Sequence, residues 1–251
     1  MQYEKYCIFL YSRKVIFKIY RKEIQMIKLK EIINKAIKQI KENSLVSYII
    51  IILIGIILSI SLTKIQIRDT HDGSLHMLRL LGTVDTLEIG QFPPLINQNY
   101  CKGVGYSMNL FYPPLVTYLP ILLKFITSNY MGALKLFGAI CIIASGITMY
   151  KLVYQITKKR TIALLSAIFY LIAPYKLANV YKRFAIGEFT AMVFIPLVFL
   201  GLYNLIQQDG KKHYYIAIGA IRFNVITYSY YTIYCTILHF IYNIPYRKIK
   251  K

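Results

Sequence analysis

Residues 47–62 read SYIIIILIGIILSISL and contain no charged side chain. A helix needs roughly 17–25 apolar residues to cross the hydrocarbon core of a bilayer, so this block is near the lower limit for a span. Its composition would leave no charge in lipid. The stretch therefore predicts a first transmembrane helix, running from the cytoplasm to the outside.

Further apolar blocks follow the first one, and hydrophobic residues make up 57% of the 251-residue chain. Soluble domains usually contain about 45–50% apolar residues. We therefore predict an all-α fold, a multi-pass transmembrane helical bundle in the plasma membrane with the lipid bilayer as its partner. The later spans are expected at residues 130–155, 161–175 and 189–206. A last apolar block, residues 214–244, is interrupted by Arg222 and Asn224.

The chain is strongly basic, with 31 Lys and Arg residues against 10 Asp and Glu residues and a formal net charge of +21. In a soluble protein this charge would indicate nucleic-acid binding. Here the basic clusters at residues 158–160 and 211–212 flank apolar blocks, which is typical of cytoplasmic loops. We expect no nucleic-acid partner and a cytoplasmic N-terminus.

Three regions are predicted along the chain. Residues 1–46 form a basic cytoplasmic lead-in, in which residues 26–43 have the apolar periodicity of a helix on the inner membrane surface. A solvated charged segment is the alternative. Residues 47–208 form the transmembrane region, and residues 209–251 are an atypical C-terminal membrane segment.

A long first extracytoplasmic loop is predicted at residues 63–129. Its last part, residues 113–126, is apolar but short and contains Pro120. A full span there would move the basic cluster at 158–160 to the outside, against the positive-inside tendency. We therefore expect a short interfacial helix at the outer surface, and a true span is the alternative.

Candidate site residues lie early in this loop. Asp72, His76 and Arg79 are spaced by four and three residues, which places them on one face of a helix. A carboxylate there can accept a proton from a sugar hydroxyl or help to hold a divalent ion, and a guanidinium can bind a phosphate. The alternative is a surface helix with an ordinary polar face. A metal site built from His71, Asp72 and His76 has no evident fourth ligand.

A second polar cluster is predicted in the next outer loop, which also contains Lys176, Tyr181 and Arg183. Glu188 lies at the outer end of the following span, and acidic residues near membrane depth are candidates for function. The alternative is an ion pair between Glu188 and Arg183 that holds the loop in place.

Several short motifs occur in a characteristic order. They are DGSLHMLR at 72–79, GQFP at 90–93, GVGY at 103–106, FYPPL at 111–115 and YKRFAIGE at 181–188. In this order and spacing, residues 47–208 resemble the bacterial membrane proteins labelled 6-pyruvoyl-tetrahydropterin synthase-related. Those proteins are similar to YfhO-type proteins and to GT-C glycosyltransferases.

The resemblance implies a glycosyltransferase that uses a polyprenyl-phosphate-linked sugar donor at the outer face of the membrane. It implies Asp72 as catalytic base or metal ligand, with Asp69 as the alternative for this role, and Glu188 as a second acid. Arg79 and Arg183, with His76 beside them, would bind the lipid phosphate. A divalent cation is compatible with this chemistry.

Members of that family continue through many more spans, so the chain is expected to be truncated after about Ala220. Residues that bind the donor would then lie beyond it. The alternative function is a non-catalytic membrane component that handles or transports a lipid carrier, which needs the spans and the basic flanks but not Asp72.

Overall fold

The computed structural model describes residues 37–112 and 115–207, together with some positions between 26 and 35. Two compact units are present, Met1–Ser47 and Tyr48–Lys251. In the first unit residues 37–42 are helical, and the side chains of Lys38 and Glu42 lie 4.0 Å apart. Within the predicted amphipathic helix at 26–43, the described residues up to 42 are helical, whereas residues 27, 29, 32, 33 and 36 lie outside the described part of the chain. The whole of the region 209–251 also lies outside it.

The described part of the chain is mostly helical and contains no strand. Its α-helices are α1 (Ser44–Lys64), α2 (Gly73–Glu88), α3 (Met108–Phe111), α4 (Leu115–Thr127), α5 (Tyr130–Thr157), α6 (Arg160–Leu171), α7 (Pro174–Leu177) and α8 (Ile186–Gln207). A π-helix, Ala178–Arg183, follows α7, and single 3-10 turns occur at Ile67–Asp69 and Cys101–Gly103.

Three of these helices are long and apolar enough to cross a membrane: α1, α5 and residues Ile186–Asn204 of α8. Helix α6 and the segment Pro174–Arg183 are bent by 44° at a short break, and together they have the length and composition of a broken fourth span or of a re-entrant loop. The predicted helical class and the presence of candidate membrane spans are therefore confirmed. Helix α4 has 13 residues, about 20 Å at 1.5 Å per residue.

Helix α5 is the central element of the second unit, and it packs against α4, α6 and α8. Helix α1 approaches α5 at glycines. A Cβ atom on Gly55 would lie 2.6 Å from Cγ1 of Ile143, and one on Gly146 would lie 2.8 Å from Cγ2 of Ile51. Small residues allow such close approach between helices in membranes. Much of the remaining apolar surface of α1 is exposed, as expected for a helix in contact with lipid.

The segment between α2 and α4 is folded against α2. The backbones of Asn97 and Tyr106 form an antiparallel bridge, with N–H to O distances of 2.9 and 3.1 Å. The buried Asn109 amide donates to Thr83 Oγ1 at 3.0 Å and to the Pro94 carbonyl at 2.7 Å. These contacts give the predicted first outer loop a defined structure, which positions the candidate site.

Candidate functional site

The start of α2 is held against the segment that precedes α8. The backbone N–H of Asp72 donates to the carbonyl of Arg183 at 2.8 Å, and that of His71 donates to Lys182 at 3.3 Å. Phe184 adopts a left-handed conformation, with φ 52°, at the turn after Arg183. Such backbone conformations are costly for a bulky residue and cluster at functional sites. The two predicted outer loops therefore meet at the backbone of residues 71–72 and 182–183.

Arg183 lies at the centre of a charged network. Its Nη2 is 3.6 Å from Asp72 Oδ2, and its Nη1 is 2.8 Å from Glu188 Oε1. Nη1 also donates to Asn179 Oδ1 at 2.9 Å, and the Tyr175 hydroxyl donates to Glu188 Oε2 at 2.6 Å. The ion pair between Arg183 and Glu188, which the sequence left as an alternative, is present.

The two carboxylates differ in environment. The side chain of Asp72 is 35% exposed, and the side chain of Glu188 is 8% exposed. Both oxygens of Glu188 bind neighbouring side chains, whereas among the described residues the side-chain contact of Asp72 is the long one with Arg183. Asp72 is therefore the carboxylate that an incoming molecule can reach.

His76 and Arg79 form a second group, which is buried. Arg79 Nη1 lies 3.4 Å from His76 Nδ1, and its Nη2 donates to the Tyr112 carbonyl at 3.3 Å. The Arg79 guanidinium carbon lies 4.4 Å from the centroid of the Tyr112 ring. The spacing of Asp72, His76 and Arg79 predicted three side chains on one helix face, directed at one site, with an ordinary exposed polar face as the alternative. Instead His76 and Arg79 point inward together, and the Asp72 carboxylate turns toward Arg183.

Burial changes the ionisation of this group. Burial and, to a smaller extent, the nearby Arg79 charge lower the pKa of His76 to about 3. Burial also lowers the pKa of Arg79 to about 10, an effect that Tyr112 partly opposes. At neutral pH a neutral imidazole therefore lies beside a cationic guanidinium.

The hydroxyl group of Tyr112 interacts electrostatically with Arg79 of the buried group and with the charged network around Arg183. Burial raises the pKa of its hydroxyl, Arg79 lowers it, Asp72 and Glu188 raise it, and Arg183 lowers it. The predicted site residues therefore share one electrostatic neighbourhood. From the sequence, Tyr112 was assigned only to the start of a helix. Its contact with Arg79, which is 33 residues away in the sequence, depends on the packing of the segment after α2 against α2.

Lys176 differs from its predicted position in an outer loop. It is 3% exposed, its Nζ donates to Oγ of Ser145 in α5, and it lies 4.7 Å from the centroid of the Tyr170 ring. Asn179 is also fully buried. No sequence signal distinguished these two residues from loop residues, since their burial depends on the break between α6 and α7.

The described residues do not fit a protein-built metal centre. Among them, no group of three His, Cys, Asp or Glu side chains is arranged to hold a metal ion. Asp72 is paired with Arg183 instead.

A cavity of about 210 Å³ adjoins the buried group. Arg79 forms part of its wall, and most of the remaining wall is aromatic or apolar. The lining residues are Leu78, Arg79, Asn97, Tyr100, Cys101, Tyr106 and Met108. The surface of the cavity is almost entirely apolar, because the Arg79 guanidinium is directed at His76 and Tyr112.

Comparison with known proteins gives one relative. An uncharacterized protein of Lactococcus lactis subsp. cremoris is 25% identical over 192 residues, which cover 74% of this chain and 31% of the relative. The chain thus spans about a third of the length of that relative. No family model matches the chain, and no solved structure matches it.

Proposed function

We propose that this chain forms part of a GT-C-like membrane glycosyltransferase that uses a polyprenyl-phosphate-linked sugar at the outer face of the plasma membrane. One observation carries the proposal. Asp72, Arg183 and Glu188 come from two separate loops and meet in one network, with Arg79 in the same electrostatic neighbourhood. An accessible carboxylate close to guanidinium groups is the combination that glycosyl transfer from a phosphate requires.

Asp72 acts as the general base in this proposal. Its carboxylate takes the proton of an acceptor hydroxyl, and the hydroxyl oxygen forms a bond to the anomeric carbon of the sugar. The bond between that carbon and the phosphate oxygen breaks, and the lipid phosphate leaves with the electron pair. Arg183 and Arg79 stabilise the negative charge that develops on the phosphate.

Glu188 acts as a positioning residue rather than as a second proton acceptor. Its two oxygens bind Arg183 and Tyr175, so the carboxylate orients the guanidinium. His76 has a related role, because a neutral imidazole beside Arg79 leaves the cation intact.

The cavity beside Arg79 supports a lipid-linked donor. Its wall is almost entirely apolar and aromatic, and such a wall suits the polyprenyl part of the donor. The predicted topology is consistent with a donor bound at the outer face. The basic cluster at 158–160 favours the cytoplasmic side, and the loop that contains Asp72 and Arg79 is predicted on the outer side.

A second candidate function is a non-catalytic component that handles a lipid carrier. The observation in its favour is the engagement of Arg183 by both Asp72 and Glu188, which would also serve to fasten two loops. In that case the Asp72 charge would matter for folding and carrier binding but for no chemical step.

Replacing Asp72 by Asn tests the proposal. The variant keeps the shape of the side chain and its backbone bond to Arg183 but cannot accept a proton. Transfer of radiolabelled sugar from polyprenyl phosphate, measured in membrane vesicles, should fall by about 10²–10⁴-fold, the usual contribution of a general base. Asp85→Asn is the matched control on the same helix, and it should transfer sugar at the unmodified rate.

The outcomes separate the competing interpretations. Because the chain is proposed to form only part of the enzyme, the assay uses the full reading frame, and absence of transfer by that unmodified protein rejects the glycosyltransferase. Normal transfer by Asp72→Asn rejects Asp72 as the base. Failure of the variant to accumulate in the membrane supports the role of Asp72 in holding the two loops together.

A further inference from the structure

Tyr112 holds the Arg79 side chain in two ways. Its carbonyl accepts a hydrogen bond from Arg79 Nη2 at 3.3 Å, and its ring centroid lies 4.4 Å from the guanidinium carbon. The ring also meets the imidazole of His76 edge-on, with the two centroids 5.9 Å apart. A guanidinium over an aromatic face is attracted to the ring. Arg79 is only 1% exposed, so its charge is held behind Tyr112 and is not itself presented at the surface.

The hydroxyl of Tyr112 is the end of the side chain that remains available. The residue is half-buried, and the contacts with Arg79 and His76 involve its ring and its carbonyl. Among the residues that the structure describes, the hydroxyl has no hydrogen-bond partner. Burial raises its pKa, so the hydroxyl keeps its proton at neutral pH. It is therefore a donor for a molecule that enters the site.

The hydroxyl interacts electrostatically with the network of Asp72, Glu188 and Arg183. In that network the donors of Arg183 are already engaged, because Nη1 binds Glu188 and Nη2 lies 3.6 Å from Asp72. The two guanidinium groups of the site and its two carboxylates cancel in formal charge. A phosphate bound here therefore needs a further donor that is not already paired with a carboxylate.

Tyr112 also connects the charged network with the apolar cavity. Arg79, which Tyr112 contacts, forms part of the wall of that cavity. On its other side, the hydroxyl of Tyr112 interacts with Asp72 and Arg183. In a polyprenyl-phosphate-linked sugar the phosphate likewise lies between an apolar chain and a polar sugar. The order of groups in the protein therefore matches the order of groups in the donor.

We propose that Tyr112 binds the phosphate of the lipid-linked donor, with its hydroxyl donating a hydrogen bond to a phosphate oxygen. The identity of the donor rests on the proposed function. Arg79 is the positioning residue behind this contact, because it holds the ring and carbonyl of Tyr112 in place. No proton leaves Tyr112, so the residue contributes to binding and takes no part in proton transfer.

Binding of two probes tests this contact without any sugar transfer. Farnesyl phosphate and farnesol share one isoprenyl chain and differ only in the phosphate. Each is radiolabelled, and its retention is measured on the full reading frame in lipid nanodiscs, relative to empty discs. Tyr112→Phe keeps the ring and the carbonyl beside Arg79 and removes the hydroxyl. Its affinity for farnesyl phosphate should fall about tenfold, as expected for loss of a hydrogen bond to a charged group, and its affinity for farnesol should not change.

Tyr203→Phe is the matched control. Tyr203 is a half-buried tyrosine of α8, and it lies about 22 Å along the helix from Glu188 at 1.5 Å per residue. Removing its hydroxyl should leave the affinities for both probes as they are in the unmodified protein.

Three results would overturn the assignment of Tyr112. They are equal affinity of the unmodified protein for the two probes, unchanged binding of farnesyl phosphate by Tyr112→Phe, and an equal loss of both probes by that variant. The last result indicates a role in folding, since a misfolded variant would lose farnesol as well.

The transfer assay separates this contact from the proposed function. A selective loss of farnesyl phosphate by Tyr112→Phe, together with absence of transfer by the unmodified protein, supports the phosphate contact and rejects the glycosyltransferase. Transfer by the unmodified protein, together with unchanged binding by Tyr112→Phe, rejects the phosphate contact alone. Where transfer occurs, Tyr112→Phe should raise the KM for the donor more than it lowers kcat, because the hydrogen bond is present before the reaction begins.

Discussion

At the scale of single residues, the same functional group behaves differently according to its surroundings. Asp72 and Glu188 are both carboxylates bound to Arg183, yet one is partly open to solvent and the other is enclosed by two donors. Environments that differ in this way separate a residue that can exchange protons from one that only orients a neighbour. The same distinction applies to His76, which burial keeps neutral.

The buried imidazole makes stability depend on pH. The pKa of His76 falls from 6.5 in the unfolded chain to about 3 in the folded one. As the pH decreases below 6.5, His76 becomes protonated in the unfolded chain but stays neutral in the folded protein. The free energy of unfolding therefore decreases. Between about pH 7.5 and about pH 5 this costs about 2 kcal/mol of unfolding free energy.

His76→Gln should abolish that part of the pH dependence, because glutamine does not titrate in this range. The measurement is thermal unfolding of both proteins in the same detergent across this pH interval. Parallel curves for the two proteins would show that His76 is not the group responsible.

At the scale of elements, α2 is arranged with its polar residues inward. His76 and Arg79 are buried, whereas Leu75 and Leu78 are 38% and 48% exposed. The alternative considered from the sequence, a surface helix with an ordinary polar face, would place these polar side chains outward instead. The physical reason is that Arg79 finds a carbonyl and a ring on Tyr112 and a nitrogen on His76, so its burial is compensated. The exposed leucines suit lipid or a protein neighbour.

The packing of α1 on α5 also depends on single positions. Gly146→Val should lower the unfolding free energy by about 1–3 kcal/mol, because the added methyl groups would overlap Ile51 and Leu171. The measurement is thermal unfolding in detergent. Leu165→Ala removes an exposed side chain of α6 and should stay within about 0.5 kcal/mol of the unmodified protein. Equal stability of the valine variant would contradict the close contact between α1 and α5.

At the scale of the whole molecule, sidedness follows from the distribution of charge. The basic cluster at 158–160 lies between α5 and α6, and the segment with the site residues of α2 precedes α4. If α4 lies in the outer interface and does not cross, these two regions are on opposite sides of the membrane. A length of about 20 Å is short of a hydrocarbon core of roughly 30 Å.

Cysteine labelling checks this arrangement. Cys101 is exposed and free, so it reports on the predicted first outer loop when Cys7, Cys141 and Cys235 are replaced. An impermeant thiol reagent should label Cys101 in intact cells. In the same background with Cys101 also replaced, Lys159→Cys should label only after the membrane is opened. Labelling at position 159 in intact cells would place the basic cluster outside and make α4 a true span.

The sequence by itself determined the helical class and the candidate membrane spans. In lipid, the backbone of a long uncharged block such as residues 47–62 has to satisfy its own hydrogen bonds, and a helix does so within a single segment. The sequence also indicated Asp72, His76, Arg79, Arg183 and Glu188 by residue type, position and resemblance. Only the tertiary structure decided which of them meet. The pairing of Asp72 with Arg183 joins residues more than a hundred positions apart, and the burial of Lys176 depends on a helix break and on a serine of α5. Hydropathy and helical spacing describe each segment separately, whereas contacts between segments depend on how the helices pack.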